Sequence, residues 1–141
     1  MSFRGPRAFL SNFHPVQIYL ECEAYPTVEN AYQAAKALDE GMRKRIAAVS
    51  PTEAKQLGRG LEAQRPGWLA RVDQEPLRVE YMRYFIWYKF AMYEDLRQQL
   101  LATGTEPLEA HNEHGDAFWG LVNGRGENML GRLLMATRAQ L

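Results

Sequence analysis

Between Pro15 and Cys22 the chain alternates. Val16, Ile18, Leu20 and Cys22 are apolar positions, and Gln17, Tyr19 and Glu21 separate them. A period of two predicts a half-buried strand, with Cys22 on its apolar side as inert core. Residues 3–13 before it read as a turn-rich aromatic stretch, and residues 23–26 after it as the strand's end. The period then changes. Ala31, Ala35 and Leu38, with Val28 and Tyr32 beside them, predict a helix capped by Thr27 and running through Leu38. Glu29, Gln33 and Lys36 lie on another face of it. A short helix is expected over residues 42–49. Ser50-Pro51-Thr52-Glu53 then combines an N-cap, a proline at the first helical position and a capping box. The helix it opens carries Ala54 and Leu57 and runs out at Gly58-Arg59-Gly60.

Residues 65–75 read as loop with room for a turn of helix. Pro76 opens the next helix, whose buried side is marked by Val79, Met82, Ile86 and Phe90. A further helix over 96–101 stops at Thr103-Gly104. Residues 107–111 suit a short strand, and 114–126 are irregular and glycine-rich. Asn128 is expected to cap a last helix carrying Leu130, Leu133, Leu134 and Leu141. No repeat, low-complexity tract or linker divides the chain. The expectation is one domain over residues 1–141, α+β and mostly helical with a small sheet.

Composition narrows the function classes. The chain has 141 residues, 46% of them hydrophobic, which excludes a disordered or collagen-like polymer. A single cysteine excludes an intramolecular disulfide and a cysteine-rich zinc finger. Lys plus Arg and Asp plus Glu both total 17, so the net charge is zero, which argues against coating a long nucleic-acid backbone. No apolar run approaches a membrane span, and MSFRGPRAFL lacks a signal peptide's apolar stretch. A cytoplasmic setting, with no membrane partner, is expected.

Several polar residues carry candidate chemistry. Glu29 is either a solvated first-turn carboxylate or one held on a rigid element, with Gln33 and Lys36 one and two turns on. Asp116, in His114-Gly115-Asp116-Ala117-Phe118-Trp119-Gly120, either caps a turn or edges an aromatic wall. Two carboxylates suit glycoside-type hydrolysis. Glu109 reads as a structural third. Gly124-Arg125-Gly126-Glu127-Asn128 precedes a helix, so free N–H groups there suit a phosphate, with Arg125 or Arg132 nearby, although a glycine turn plus an Asn cap explains most of the segment. Lys55 and Arg59, four apart, and Lys89, between Tyr88 and Phe90, are either lining for an anionic pocket or ordinary surface charge. His14, His111 and His114 form no metal-ligand frame, so surface histidines and no metal or other cofactor are expected.

The ordered residues resemble the YbiA-like, or NADAR, family of N-glycosidases. The resemblance starts at Phe9-Leu10-Ser11-Asn12-Phe13 and continues through Glu29-Asn30-Ala31-Tyr32-Gln33-Ala34-Ala35-Lys36. It takes in Pro51, Ala54, Lys55, Gly58 and Arg59, then Met82, Lys89 and Phe90, then Leu101-Ala102-Thr103-Gly104. The last block is Leu108-Glu109, Asp116, Trp119-Gly120, Gly126, Asn128, Leu130-Gly131-Arg132, Leu134-Met135 and Arg138. It implies a YbiA-like fold with a small antiparallel sheet and hydrolysis at a ribose anomeric carbon. Implied catalytic residues are Glu29 and Asp116, and implied substrate-binding residues are Asn12, Gln33, Lys36, Arg59, Trp119, Gly126, Asn128 and Arg132. Implied substrates are phosphorylated ribosylamino-pyrimidines of riboflavin synthesis or an ADP-ribosylated guanine base, including one in single-stranded DNA. The alternative is a catalytically silent protein that binds ADP-ribose or a nucleotide. One position departs from the family pattern: Arg71-Val72-Asp73 is followed by Gln74 where the family carries a tryptophan.

Overall fold

Two helix caps expected from the sequence are in place in the computed structural model, which describes residues 3–61 and 63–141. Thr27 Oγ1 accepts the Asn30 N–H at 3.1 Å and opens α1 (Val28–Ala35). Ser50 Oγ accepts the Glu53 N–H at 3.2 Å and donates to Glu53 Oε1 at 3.1 Å, opening α3 (Pro51–Arg59). The described residues fall into two compact units, one of residues 15–89 and one of residues up to 14 together with 90–141.

In the unit of residues 15–89, α1 packs on α2 (Glu40–Ala47), on α3 and on a two-stranded sheet. That sheet is an antiparallel hairpin of β1 (Ile18–Leu20) and β2 (Glu23–Tyr25), in the register Ile18↔Tyr25, Tyr19↔Ala24 and Leu20↔Glu23. Residues 23–26 therefore do not simply end a strand; they supply its partner. The turn residues Glu21 and Cys22 have φ of 50° and 69°, the left-handed pair of a tight type I′ hairpin. Glu-Cys carries none of the Asn-Gly signal of such turns, so the hairpin is hidden in the sequence. Its Glu21 carboxylate pairs with Arg43 and, at 3.2 Å, with Arg65. The hydrogen bond from Arg43 holds its pKa below the ordinary value. The same geometry exposes Cys22, correcting its expected place in the core.

α1 ends three residues before Leu38, which is 58% exposed rather than part of the apolar stripe. Its last turn tightens as Lys36 N–H reaches Gln33 O and Ala37 N–H reaches Ala34 O, and Asp39 then caps α2 through the Met42 N–H at 2.8 Å. Helix α4 (Leu77–Met92) buries Val79, Met82, Ile86 and Phe90 as its spacing predicts. Lys89 lies on that same stripe and is 1% exposed.

In the other unit, a 3-10 helix (Gly5–Leu10) packs on α5 (Glu94–Ala102), and Phe9 meets Phe90 edge to face at 6.4 Å. α5 stops at Thr103 and Gly104, the latter at φ 65°, as expected. Residues 107–111 form no strand; the segment makes a single parallel bridge, His111↔Leu121. The last helix is α6 (Met129–Gln140). The chain is mostly helical with one small antiparallel sheet, the α+β class read from the sequence. Among the described residues no helix is long and apolar enough to cross a membrane.

Two outcomes follow from these elements. Cys22→Gly relieves a left-handed residue, less glycine's larger entropy loss, and is expected to raise stability by roughly 0.5–1 kcal/mol, read as a higher urea midpoint at unchanged slope. Burial pushes the Lys89 ammonium down from its ordinary 10.5 to about 7. The unfolded chain therefore holds more protons than the folded one between about pH 7 and 10.5, and the lysine's contribution makes stability rise with pH across that window. Below it both states are charged and the burial penalty is complete. Lys89→Met is expected to flatten the rise in denaturation midpoint between pH 7 and pH 10.

Candidate active site

Within the unit of residues 15–89, the start of α1 is fixed by a buried asparagine. Asn30 Nδ2 donates to Ile46 O at 2.8 Å and to Val49 O at 2.9 Å, while its Oδ1 accepts the Thr27 hydroxyl at 2.6 Å. This ties the first turn of α1 to the end of α2. Glu29, the preceding residue, is half-buried in that turn. One turn on, Gln33 is buried and its Nε2 donates to Glu29 Oε2 at 2.7 Å. Two turns on, Lys36 Nζ lies 3.4 Å from Gly58 O and 5.7 Å above the Tyr32 ring. Burial pulls the Lys36 pKa below its ordinary value; the Glu29 charge opposes that and the Arg78 charge adds to it. Glu29, Gln33 and Lys36 thus form one connected set. Arg59 stays exposed in the last turn of α3.

Trp68 is buried, with its ring 5.5 Å from Tyr32 and 5.9 Å from Tyr81. An indole therefore sits beside α1 in this unit, although not at position 74. Gln74 itself is exposed and bridges to Arg71 around Asp73, whose φ is 56°.

In the other unit, Asp116 is the centre of a closed turn. Its Oδ1 accepts the N–H groups of Phe118 at 3.1 Å and Trp119 at 2.9 Å. Asn112 clamps its backbone from both sides, Oδ1 accepting Asp116 N–H at 3.0 Å and Nδ2 donating to Asp116 O at 2.7 Å. The turn-capping reading of Asp116 therefore holds for this oxygen. Phe118 and Trp119 are half-buried and meet edge to face at 5.0 Å. Asn12 is buried in the turn after the 3-10 helix.

The glycine-rich turn before α6 is not an open phosphate cradle. The N–H groups of Glu127, Asn128, Met129 and Leu130 already reach the carbonyls of Ala117, Gly120, Phe118 and Trp119, at 2.7 to 3.2 Å. Gly126, at φ 141°, has room for no side chain, since a Cβ there would lie 2.6 Å from both Ala117 O and Gly120 O. Asn128 does not cap α6 with its side chain. It sits at φ 49° and uses its carboxamide on the 107–111 segment, accepting Ala110 N–H at 2.9 Å and donating to Leu108 O at 3.0 Å. Arg132 is exposed and 3.4 Å from Glu127. His111 and His114 are exposed, and among the described residues no group of three or more His, Cys, Asp or Glu side chains is placed to hold a metal.

Arg78 has no sequence signal, because a lone arginine early in a helix carries no pattern. Lys89 has a legible one: it falls three residues after Ile86 and seven after Met82, on an otherwise apolar stripe.

Comparison with known proteins places this geometry in a lineage. The NADAR domain family matches residues 2–141. A riboflavin biosynthesis protein of Vibrio vulnificus is 38% identical over 135 residues, 94% of this chain but only 35% of that longer protein. The Escherichia coli N-glycosidase YbiA is 39% identical over 133 residues, covering 93% of this chain and 79% of YbiA. An N-glycosidase of Nostoc punctiforme is 36% identical over 141 residues, 96% of this chain and 86% of that protein. The NMR structure of Escherichia coli YbiA superposes with a TM-score of 0.79 and 37% identity over 99% of this chain and 81% of that one. Matched over nearly its whole length in sequence and in fold, the chain belongs to the NADAR family.

Proposed function

We propose that this chain is an N-glycosidase that hydrolyses the bond between C1 of a ribose and an amine-type nitrogen, on a substrate carrying phosphate. The observation that carries the reading is the Glu29 carboxylate, held by Gln33 at 2.7 Å in the first turn of α1 and electrostatically coupled to Lys36. N-glycosidase relatives at 36–40% identity support it. Breaking a C1–N bond builds positive charge on C1 and the ring oxygen. A preorganised carboxylate stabilises that charge as it develops and can accept a proton from the water that adds to C1. The departing nitrogen keeps the bonding pair and takes a proton. Asp116, the second carboxylate that the family resemblance implies, is held within its own unit in a turn fixed by Asn112. Lys36, desolvated and beside Arg78, supplies charge for a phosphate.

The substrates proposed are an ADP-ribosylated guanine base, including one in single-stranded DNA, and a phosphorylated ribosylamino-pyrimidine. Single-stranded DNA requires no unpairing, which suits a chain of zero net charge. Side-by-side release assays on the two decide between them. Binding of ADP-ribose without turnover of either would instead indicate a silent binding protein.

Glu29→Gln preserves size and helix propensity and is expected to lower turnover by about 10²–10⁴-fold with the circular dichroism spectrum unchanged. A folded variant of near-normal rate would remove Glu29 from the chemistry. Removing the phosphate from the substrate is expected to lower kcat/KM by at least about tenfold, since charge-assisted contacts to it are each worth roughly 1.5–3 kcal/mol. Equal rates with and without phosphate would contradict the role given to Lys36. Activity is expected to survive chelation by EDTA; its loss, with recovery on adding one divalent ion, would overturn a metal-free reaction.

A further inference from the structure

We propose that Gly58 is a positioning residue that acts on Glu29 through Gln33. The inference rests on the reading of Glu29 as the reacting carboxylate.

Gly58 lies inside α3, two residues before Gly60, which terminates the helix. A glycine in a helix interior costs roughly 0.5–1 kcal/mol relative to alanine, so its presence needs a reason. Backbone conformation is not the reason, because the φ of Gly58 is not positive and alanine would fit its dihedrals. Space is. A Cβ on Gly58 would lie 1.8 Å from Gln33 Oε1, 2.4 Å from its Cδ and 3.1 Å from its Cγ. The carboxamide of Gln33 rests on the glycine, on the side where a side chain would begin.

That contact fixes which way the carboxamide faces. Gln33 Oε1 is buried and has no hydrogen-bond donor among the described residues. Its Nε2 is the edge turned to Glu29. A carboxamide is planar, so pressing on its oxygen edge displaces its nitrogen edge. A methyl group at position 58 has no other outlet: the helix backbone behind it is rigid, whereas the end of Gln33 is a flexible side chain. The added atom is therefore accommodated by moving the donor that orients Glu29. Gly58 also offers its carbonyl oxygen to Lys36 at 3.4 Å. One glycine thus underlies two side chains of the Glu29, Gln33, Lys36 set, and the carbonyl half of that role survives any substitution.

A displacement of about 1 Å at a reacting group costs up to about 10²-fold in rate. Gly58→Ala is expected to lower kcat by about 10- to 100-fold while KM changes by less than about threefold, matching Gln33→Ala. The decisive comparison is the double variant. Once the Gln33 side chain is truncated there is no carboxamide to displace, so Gln33→Ala/Gly58→Ala is expected to show the kcat of Gln33→Ala alone, a strongly non-additive cycle. Purified full-length proteins are assayed on the better of the two proposed substrates, with thermal melts run in parallel. Normal kcat in Gly58→Ala, or a further full loss on the Gln33→Ala background, would overturn the proposal. Should Gly58→Ala fail to fold, recovery of folding in the double variant supports it and failure of the double variant refutes it. Glu29→Gln is run beside them: full activity there overturns the reading of Glu29 itself, whereas an inactive Glu29→Gln with additive Gly58 and Gln33 effects refutes only the role of Gly58.

Discussion

The carboxamide of Asn30 is the constraint on which the unit of residues 15–89 depends. It is fully buried, and Thr27, Ile46 and Val49 together satisfy both of its donors and its oxygen. Buried polar groups of this kind are costly when half-satisfied and specific when complete. Here completeness requires the first turn of α1, the last turn of α2 and the loop just after it to be in one arrangement. Glu29 is covalently adjacent to that knot. Its side chain is only half-buried, and the side chain that meets it, Gln33, is buried against Gly58 of α3. Order at the candidate site thus begins with an asparagine whose carboxamide is spent on Thr27, Ile46 and Val49.

The other unit solves the same problem with the same group. Asn112 grips Asp116 through both its backbone N–H and its carbonyl, and Asn128 grips Leu108 and Ala110. A carboxamide carries a donor and an acceptor side by side, as a peptide unit does, so it substitutes for a strand partner where no strand exists. Residues 107–111 show the result: an extended segment held by one asparagine and one bridge instead of by a sheet. Close backbone approach follows. A Cβ on Gly131 would lie 2.1 Å from Leu108 O, and one on Gly120 would lie 2.1 Å from Ala110 O. These glycines are fixed by distance between segments, not by turn geometry.

This division explains what the sequence could show. Caps at Thr27 and Ser50 were legible because donor and acceptor lie within three residues of each other. The stripe of α4 was legible because its period is local. What escaped was set by partners far along the chain or by an unmarked turn: the I′ hairpin at Glu21-Cys22, the exposure of Cys22, the carboxamide of Asn128 spent on residues twenty and eighteen positions away, and the commitment of the N–H groups before α6 to the 117–120 segment. Glu29, Gln33 and Lys36 could be placed on one helix face by spacing alone. That Gln33 is buried, and that Gly58 is what it is buried against, required the packing of α3 on α1.

Charge gives the candidate site its direction. Lys36 feels Glu29 as an attraction and Arg78 as a repulsion, while burial disfavours its charged form. The three formal charges sum to one positive. In the proposed reaction a substrate phosphate near Lys36 would offset its burial and the Arg78 charge, and Glu29 would serve the part of the substrate that becomes positive. A phosphate on one side and a developing oxocarbenium on the other is the charge pattern of a ribosyl phosphate during C1–N cleavage, and it is the pattern that the proposed function assigns to this short helix face, read from Glu29 to Lys36.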